Sequence, residues 1–313
     1  MKKTIIGLVV IAVVGVGVYY LTQSSSTTTT KNDTDTNVPV GGDTTGGNTN
    51  TGGTVATNTN PSVSGNKESE AIGKSVEGSD ITAYHYGTGS KEVLFVGGIH
   101  GGYEWNSALV AYQLMDYLKA NPTIIPSNVK VTVIPVLNPD GLAKVVGKTG
   151  RFTVADVPVS QTLQVAGRFN ASGVDLNRNF DCDWQSSAMW QDTTVSGGDV
   201  VFSEPESSAM RDYITAHPIS GAVVWYSAAG GVYSSNCHAG VLPATSKLTS
   251  FYAAASGYPP YVSFDYYKTT GDMVNWMAKN KIPAISVLLT NHTDVEWDKN
   301  LAGVKAVLNN FAE

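Results

Sequence analysis

The chain has 313 residues, enough for about two average domains, yet only 15% of them are charged, against roughly 25% in a soluble globular protein. The net charge of -6 offers no basic footprint for nucleic acid, which excludes that class of partner. The missing charge is concentrated in the first fifth of the chain, so the globular part is smaller than the length suggests.

Lys2 and Lys3 precede an apolar run from Ile5 to Leu21 without a charge. With Thr4 and Thr22 it spans roughly 28 Å as a helix, close to the thickness of a bilayer core. No small-residue cleavage site follows, and Tyr19 and Tyr20 suit an interfacial belt, so residues 1–22 read as a transmembrane anchor with the N-terminus inside. A cleaved signal peptide, leaving a secreted protein, and a buried core helix are the alternatives. Residues 23–67 are almost all Ser, Thr, Asn, Gly and Asp; such a tract cannot offset its ordering entropy and is expected to be a flexible tether. The domain of residues 68–313 would then lie outside the cell membrane. Its two cysteines, Cys182 and Cys237, would meet oxidising conditions there, and they read either as a disulfide or as two unrelated buried thiols.

In the remaining part, 91–96 reads as a buried strand ending at Gly97-Gly98, followed by a helix over 105–120 with Val110, Leu114 and Leu118 at helical spacing. A second strand is predicted over 129–137, stopped by Asn138-Pro139-Asp140-Gly141. A helix over 205–216 leads to a third strand, 222–226. A helix over 271–280 leads to a fourth, 284–289, and a helix over 301–311 closes the chain. Alternating strands and helices imply a largely parallel or mixed sheet covered on both faces. His100, Asn138, Asp140, Tyr226, Ser227, Asn291 and His292 all follow strands, which puts a candidate site at the carboxyl edge of the sheet.

His100 and Glu104 sit where a strand gives way to a helix. A His and a Glu four apart on a helical turn face the same side and could offer a metal ion one nitrogen and one carboxylate. The segments GGIHGGYEWNS, LNPDGL, GRFNASGVDLNRNF, YYKTTGDMVNW and IPAISVLLTNHTD occur in an order that resembles the zinc carboxypeptidase family, the carboxypeptidase A-like metallopeptidases. The resemblance spans about residues 85–300. It implies an α/β/α sandwich around a mixed, about eight-stranded twisted sheet, one zinc ion as cofactor, and a peptide C-terminus as partner, a cell-envelope peptide among the options.

Residue by residue, the resemblance puts His100 and Glu104 on the first two zinc ligands, although three residues rather than the family's two separate them. It puts Asn177 and Arg178 on the clamp for the terminal carboxylate, Arg168 near the arginine that polarises the scissile carbonyl, and Tyr267 on the tyrosine that closes over the bound end. Val274 falls in the specificity pocket, where an apolar side chain disfavours basic C-terminal residues. Two positions depart from the family. Tyr226 stands where the third zinc ligand, a histidine, belongs, or that histidine is deleted beside it, and Leu288 stands where the family has its general base, a glutamate. Losing a base costs on the order of 10²- to 10⁴-fold in rate, and losing a ligand weakens the metal site as well. The resemblance therefore implies a peptide-end binder impaired in hydrolysis. The alternative is an active metallocarboxypeptidase with substitutes, His238 as ligand and Asp272, Asp294 or Glu296 as base. His217 is expected at the opposite end of the sheet, and His292 is expected to make a structural hydrogen bond.

Overall fold

A computed structural model describes residues 68–312. The anchor and tether expected of residues 1–67 lie outside the described residues. Among those described, no helix is long and apolar enough to cross a membrane.

The elements in chain order are β1 (Ser69–Lys74), β2 (Asp80–Tyr86), β3 (Lys91–Val96), α1 (Trp105–Ala120), β4 (Val129–Ile134), α2 (Pro139–Val146), α3 (Gln161–Ala166), β5 (Ser187–Trp190), β6 (Thr193–Ser196), α4 (Pro205–Ala216), β7 (Ile219–Ser227), β8 (Gly231–Ser234), α5 (Pro243–Ser256), β9 (Pro260–Tyr261), α6 (Met273–Lys279), β10 (Ala284–Leu289) and α7 (Trp297–Ala312). Eight strands form one mixed sheet in the order β1-β2-β4-β3-β7-β10-β8-β9, and β5 and β6 form a separate ribbon. The inner run β4-β3-β7-β10 is parallel, while β1, β2 and β8 join it through antiparallel pairs.

Successive side chains of a strand point to opposite faces, and both faces of this sheet are covered. Phe95, Trp225, Ile285 and Val287 pack with α1, α5 and α7 on one side. Leu94, Val96, Val224, Tyr226 and Leu288 pack with α4, α6 and Phe180 on the other. The result is a three-layer α/β/α sandwich, and double-sided burial explains why the central strands read as unbroken apolar runs rather than alternating ones.

Several expected boundaries move, each for a local reason. The strand expected over 129–137 stops at Ile134, because Pro135 has no N–H to give the ladder. The motif expected to be only a turn there opens α2: Pro139 takes the first helical position and Asn138 caps it, accepting from the Gly141 amide at 2.8 Å. Asp140 is not at the site. It holds the β1–β2 connection, accepting from Ser75 Oγ at 2.6 Å and the Glu77 amide at 2.9 Å. The third strand runs longer, to Ile219–Ser227; α6 is shorter than 271–280 because Asp272 caps it from outside, accepting from the Asn275 amide; and α7 begins earlier, at Trp297.

Candidate functional site

His100 and Glu104 lie in the connection between β3 and α1, and this connection is a non-helical turn rather than the helical turn expected. Helix α1 begins only at Trp105, with Glu104 at its N-cap in a non-helical conformation. Ser107 fixes the turn: its hydroxyl accepts from the Gly98 amide at 3.1 Å and donates to the Glu104 carbonyl at 2.7 Å. Gly101 has φ +45°, and a Cβ there would sit 2.6 Å from the Gly167 carbonyl oxygen. The His-Gly-Gly sequence is therefore what lets this turn press against neighbouring backbone.

The imidazole of His100 is 4% exposed and stands between two carboxylates. Its Nδ1 is 2.9 Å from Glu104 Oε1, and its Nε2 is 3.5 Å from Asp175 Oδ1. Both approaches are close but poorly aligned, and neither ring nitrogen nor Glu104 Oε2 makes a well-formed hydrogen bond. A histidine backed by one carboxylate while turning its other nitrogen elsewhere is the usual support for a metal-ligating imidazole.

Asp175 is the hub. Fully buried, it accepts from Arg168 Nε at 2.9 Å and lies 2.8 Å from Arg168 Nη2; its other oxygen accepts from the Asn177 amide at 3.1 Å. Burial alone would raise its proton affinity, but Arg168, Arg178 and His100 outweigh burial and hold the carboxyl well below the ordinary range. Arg168 is thereby fixed, with its guanidinium 4.5 Å above the Trp190 ring and Nη1 3.9 Å from Glu104 Oε1.

Arg178 is 1% exposed. Its Nε donates to the Met189 carbonyl at 2.9 Å and its Nη1 to the Asn177 carbonyl at 2.7 Å, whereas buried Nη2 makes no well-formed hydrogen bond and the Tyr267 side chain is the group that interacts with the guanidinium there. The Tyr267 ring centroid is 5.9 Å from this guanidinium. Asn177 also lines the cavity, but its side chain is engaged: its Nδ2 donates to Asp272 at 2.8 Å and its Oδ1 accepts from the Met273 amide at 3.0 Å. Asn177 therefore fixes α6 relative to the motif that carries Arg178, and Arg178 is the arm with a donor to spare.

Tyr226 and Leu288 are direct partners across parallel β7 and β10, on the same face of the sheet and both inside the same apolar cluster. The Tyr226 ring centroid lies 5.6 Å from that of His100, and its hydroxyl donates to Asn177 Oδ1 at 3.4 Å. Burial, then the nearby Asp272 and Glu104 carboxylates, push its phenol well above the ordinary value. A phenol so held stays neutral and is a poor metal ligand.

The remaining candidates sit elsewhere or are engaged. His238 is exposed and pairs with Asp183 at 2.6 Å. His217 lies two residues before β7, at the end of the strand opposite Tyr226, and stacks on Tyr213. His292 packs 4.5 Å from the Tyr103 ring, hydrogen-bonds the Tyr103 backbone, and is pushed below the ordinary histidine value by burial. Its Nδ1 is nonetheless left without a partner. Asp272 caps α6, and burial raises its carboxyl. Glu296 accepts from Thr290 and Tyr258, and Asp294 accepts from Asn291. Among the described residues no three His, Cys, Asp or Glu side chains are grouped to hold a metal ion. The two donors that face each other, His100 and Glu104, are one short of a zinc set, so the described residues do not fit that ion.

These side chains line a cavity of about 230 Å³, which His100, Glu104, Arg178, Tyr226, Tyr267 and Leu288 share with Val274, Ser234, Asn236 and Asn275. A second cleft beside it is bordered by Tyr103, Trp190, Phe264, Tyr266 and His292. Cys182 and Cys237 form a disulfide, with Cα atoms 6.1 Å apart, and the bridge brings Asp183 and Asn236 to the cavity wall. Asp175 and the aromatic cleft are the parts that sequence reasoning missed. Asp175 was legible as the acid inside GVDLNRNF, whereas Trp190 sits on the β5–β6 ribbon, which carries no motif.

A three-layer sandwich with its polar cluster at the carboxyl edge of β3, β7 and β10 defines a carboxypeptidase-type α/β/α domain. Residues 58–291 match the model of the zinc carboxypeptidase family, and the chain belongs to that family. Relatives include the carboxypeptidase B of Astacus astacus, 31% identical over 158 residues (46% of this chain, 48% of that protein). Another is the murein peptide amidase A of Escherichia coli, 26% identical over 228 residues (69% of this chain, 79% of that protein). The bovine thrombin-activatable fibrinolysis inhibitor has the same fold, with a TM-score of 0.63 at 17% identity, over 78% of this chain and 89% of that one. The chain spans 18% to 54% of the length of the first curated relatives it matches.

Proposed function

We propose that the domain binds the carboxyl-terminal end of peptides and is strongly impaired in hydrolysing them. The observation that carries this reading is Arg178: buried, pinned through two of its nitrogens, with Nη2 making no well-formed hydrogen bond at the cavity wall. A guanidinium in this state is a preorganised anchor for a carboxylate, and Tyr267 stands beside it as a cover. The hydrolytic half of the site is compromised, because the neutral Tyr226 phenol stands in the third ligand's place and the Leu288 side chain cannot take a proton from water.

Relatives named for murein peptides make cell-envelope peptides the substrate class proposed here. That class agrees with an extracytoplasmic domain held to the cell membrane by residues 1–22, which we also propose. The test compares binding of one peptide as its C-terminal acid and as its amide, by calorimetry on the full-length protein, together with metal analysis. The acid is expected to bind at least tenfold more tightly, Arg178→Ala is expected to remove that preference, and zinc is expected at well below one equivalent. Equal binding of acid and amide defeats the clamp; tightly held stoichiometric zinc with release of a C-terminal residue defeats the impairment.

A further inference from the structure

The cavity has a wall with a chemistry of its own, made by Asp183, Asn236, Asn275, Ser234 and Ser286. Covalent and hydrogen bonds fix it in place. The Cys182–Cys237 bridge joins the neighbours of Asp183 and Asn236, the Cys182 carbonyl accepts from the Gly271 amide at 2.7 Å, and the Asn236 amide donates to Asn275 Oδ1 at 2.9 Å. Val274 alone argues against a basic ligand side chain, but it is one apolar group beside these polar ones.

Asp183 carries this wall's one charge. Its backbone has φ +53°, a left-handed conformation that aspartate tolerates better than most residues. Its Oδ1 lies 2.6 Å from His238 Nε2, and among the described residues its other oxygen has no partner. The side chain is 48% exposed, so water serves that oxygen until a ligand does.

The other charges that line the cavity are engaged elsewhere. Arg168 faces Asp175 and Glu104, Glu104 faces His100, and Asp272 accepts from Asn177 and from the Asn275 amide. The terminal carboxylate proposed above takes Arg178. A ligand side chain on the second wall therefore meets neutral hydroxyls and amides and a single negative charge. The neutral groups can hydrogen-bond a cationic or an uncharged polar side chain equally well, so they do not rank the two. Asp183 does.

We infer that Asp183 makes the cavity select a C-terminal residue with a cationic side chain over an uncharged one, and an uncharged one over an acidic one. This rests on the Arg178 clamp and adds the class of terminal residue that the same site takes. Because Asp183 is half exposed, solvent screening limits each step to about twofold to fivefold.

The experiment is calorimetry on the full-length protein at pH 8 with peptides that differ only in the last residue, in two pairs of matched shape: arginine with citrulline, and glutamine with glutamate. Each peptide is also measured as its C-terminal amide. Arginine is expected to bind at least twofold more tightly than citrulline, and glutamine at least twofold more tightly than glutamate. Both differences are expected to shrink as salt is raised. Asp183→Asn is expected to erase the arginine advantage and to keep the preference for acid over amide. Citrulline that binds as tightly as arginine, or an arginine advantage that survives Asp183→Asn, overturns the inference while the acid-over-amide preference keeps the clamp standing. Amides that bind as well as acids defeat the clamp itself. Should Asp183→Asn fail to fold, the unaltered protein still decides, because an arginine advantage that does not fall with salt overturns the inference.

Discussion

Asp175→Asn tests whether one carboxylate organises the whole site. The side chain is 0% exposed and accepts from Arg168 and from the Asn177 amide, with Arg168 Nη2 at 2.8 Å and His100 3.5 Å away. The variant keeps the shape but leaves the Arg168 guanidinium buried beside a neutral amide. Breaking a buried pair from one side costs about 3–5 kcal/mol. At about 2–4 °C per kcal/mol for a domain of this size, the melting temperature at pH 7 is expected to fall by about 6–20 °C. The pH dependence has a definite sign. The native carboxyl is held below its unfolded value of about 3.9, so its contribution is complete above that pH and declines as pH falls toward the native value. At pH 3 the deficit of the variant is expected to be smaller by about 1.2 kcal/mol than at pH 7, from about 0.9 pH units at 1.36 kcal/mol each. Thermal melts at both pH values check this. A variant within about 2 °C of the parent at pH 7, or a deficit that grows on acidification, refutes the reasoning.

Gly271 has φ +66°, and a Cβ there would overlap the Arg178 carbonyl oxygen. Gly271→Ala is expected to cost about 2 kcal/mol or more and to weaken carboxylate binding, read from melting temperature and calorimetry together. The Cys182–Cys237 bridge closes a separation of 55 residues, worth about 4 kcal/mol in the chain-entropy account. Reduction is expected to lower the melting temperature by about 8–16 °C and to loosen ligand binding, since Asp183 and Asn236 flank the bridge at the cavity wall. A reduced protein that melts and binds like the oxidised one counts against both parts.

The parallel centre of the fold was legible because its signals are local. The bounds of β3, α1, α4 and β10 follow from apolar runs and helical spacing alone. The edges were not, because β1, β2, β8 and β9 are short or only half-buried strands whose stability comes from their neighbours. Within the site, motif positions gave His100, Glu104, Arg168, Asn177, Arg178 and Tyr267, all of which line the cavity. What no motif conveys is which donor is already used. The Asn177 side chain is committed to Asp272 and the Met273 amide, and Arg168 is committed to Asp175 through Nε and Nη2, so what the expected trio leaves for a ligand is the outer nitrogens of its two arginines. The disulfide rests on a meeting of two loops 55 residues apart, which sequence left open.

The two positions at which a departure from the family is proposed lie together in space. Leu288 and Tyr226 are register partners on one face of β10 and β7, 8% and 4% exposed within a shared apolar cluster. With no ligand set beside it, a glutamate at 288 would be a buried carboxylate without a cation, a state costing about 3–5 kcal/mol; leucine removes that cost, and the tyrosine ring fills the space next to it. The two residues should therefore be energetically coupled. Leu288→Glu in the presence of Tyr226 is expected to destabilise by the full penalty. Tyr226→His adds a third donor to His100 and Glu104, and zinc at a hundredfold above its dissociation constant then returns about 2.7 kcal/mol, or about 5–11 °C. In Tyr226→His with saturating zinc, the cost of Leu288→Glu is expected to shrink by about 1–3 kcal/mol, the range of direct-contact coupling. Melting temperatures and metal content of the parent, both single variants and the double variant close the cycle. Additive costs, or a Tyr226→His protein that retains no more zinc than the parent, would show that the two positions changed independently and that the tyrosine is not what excludes the ion.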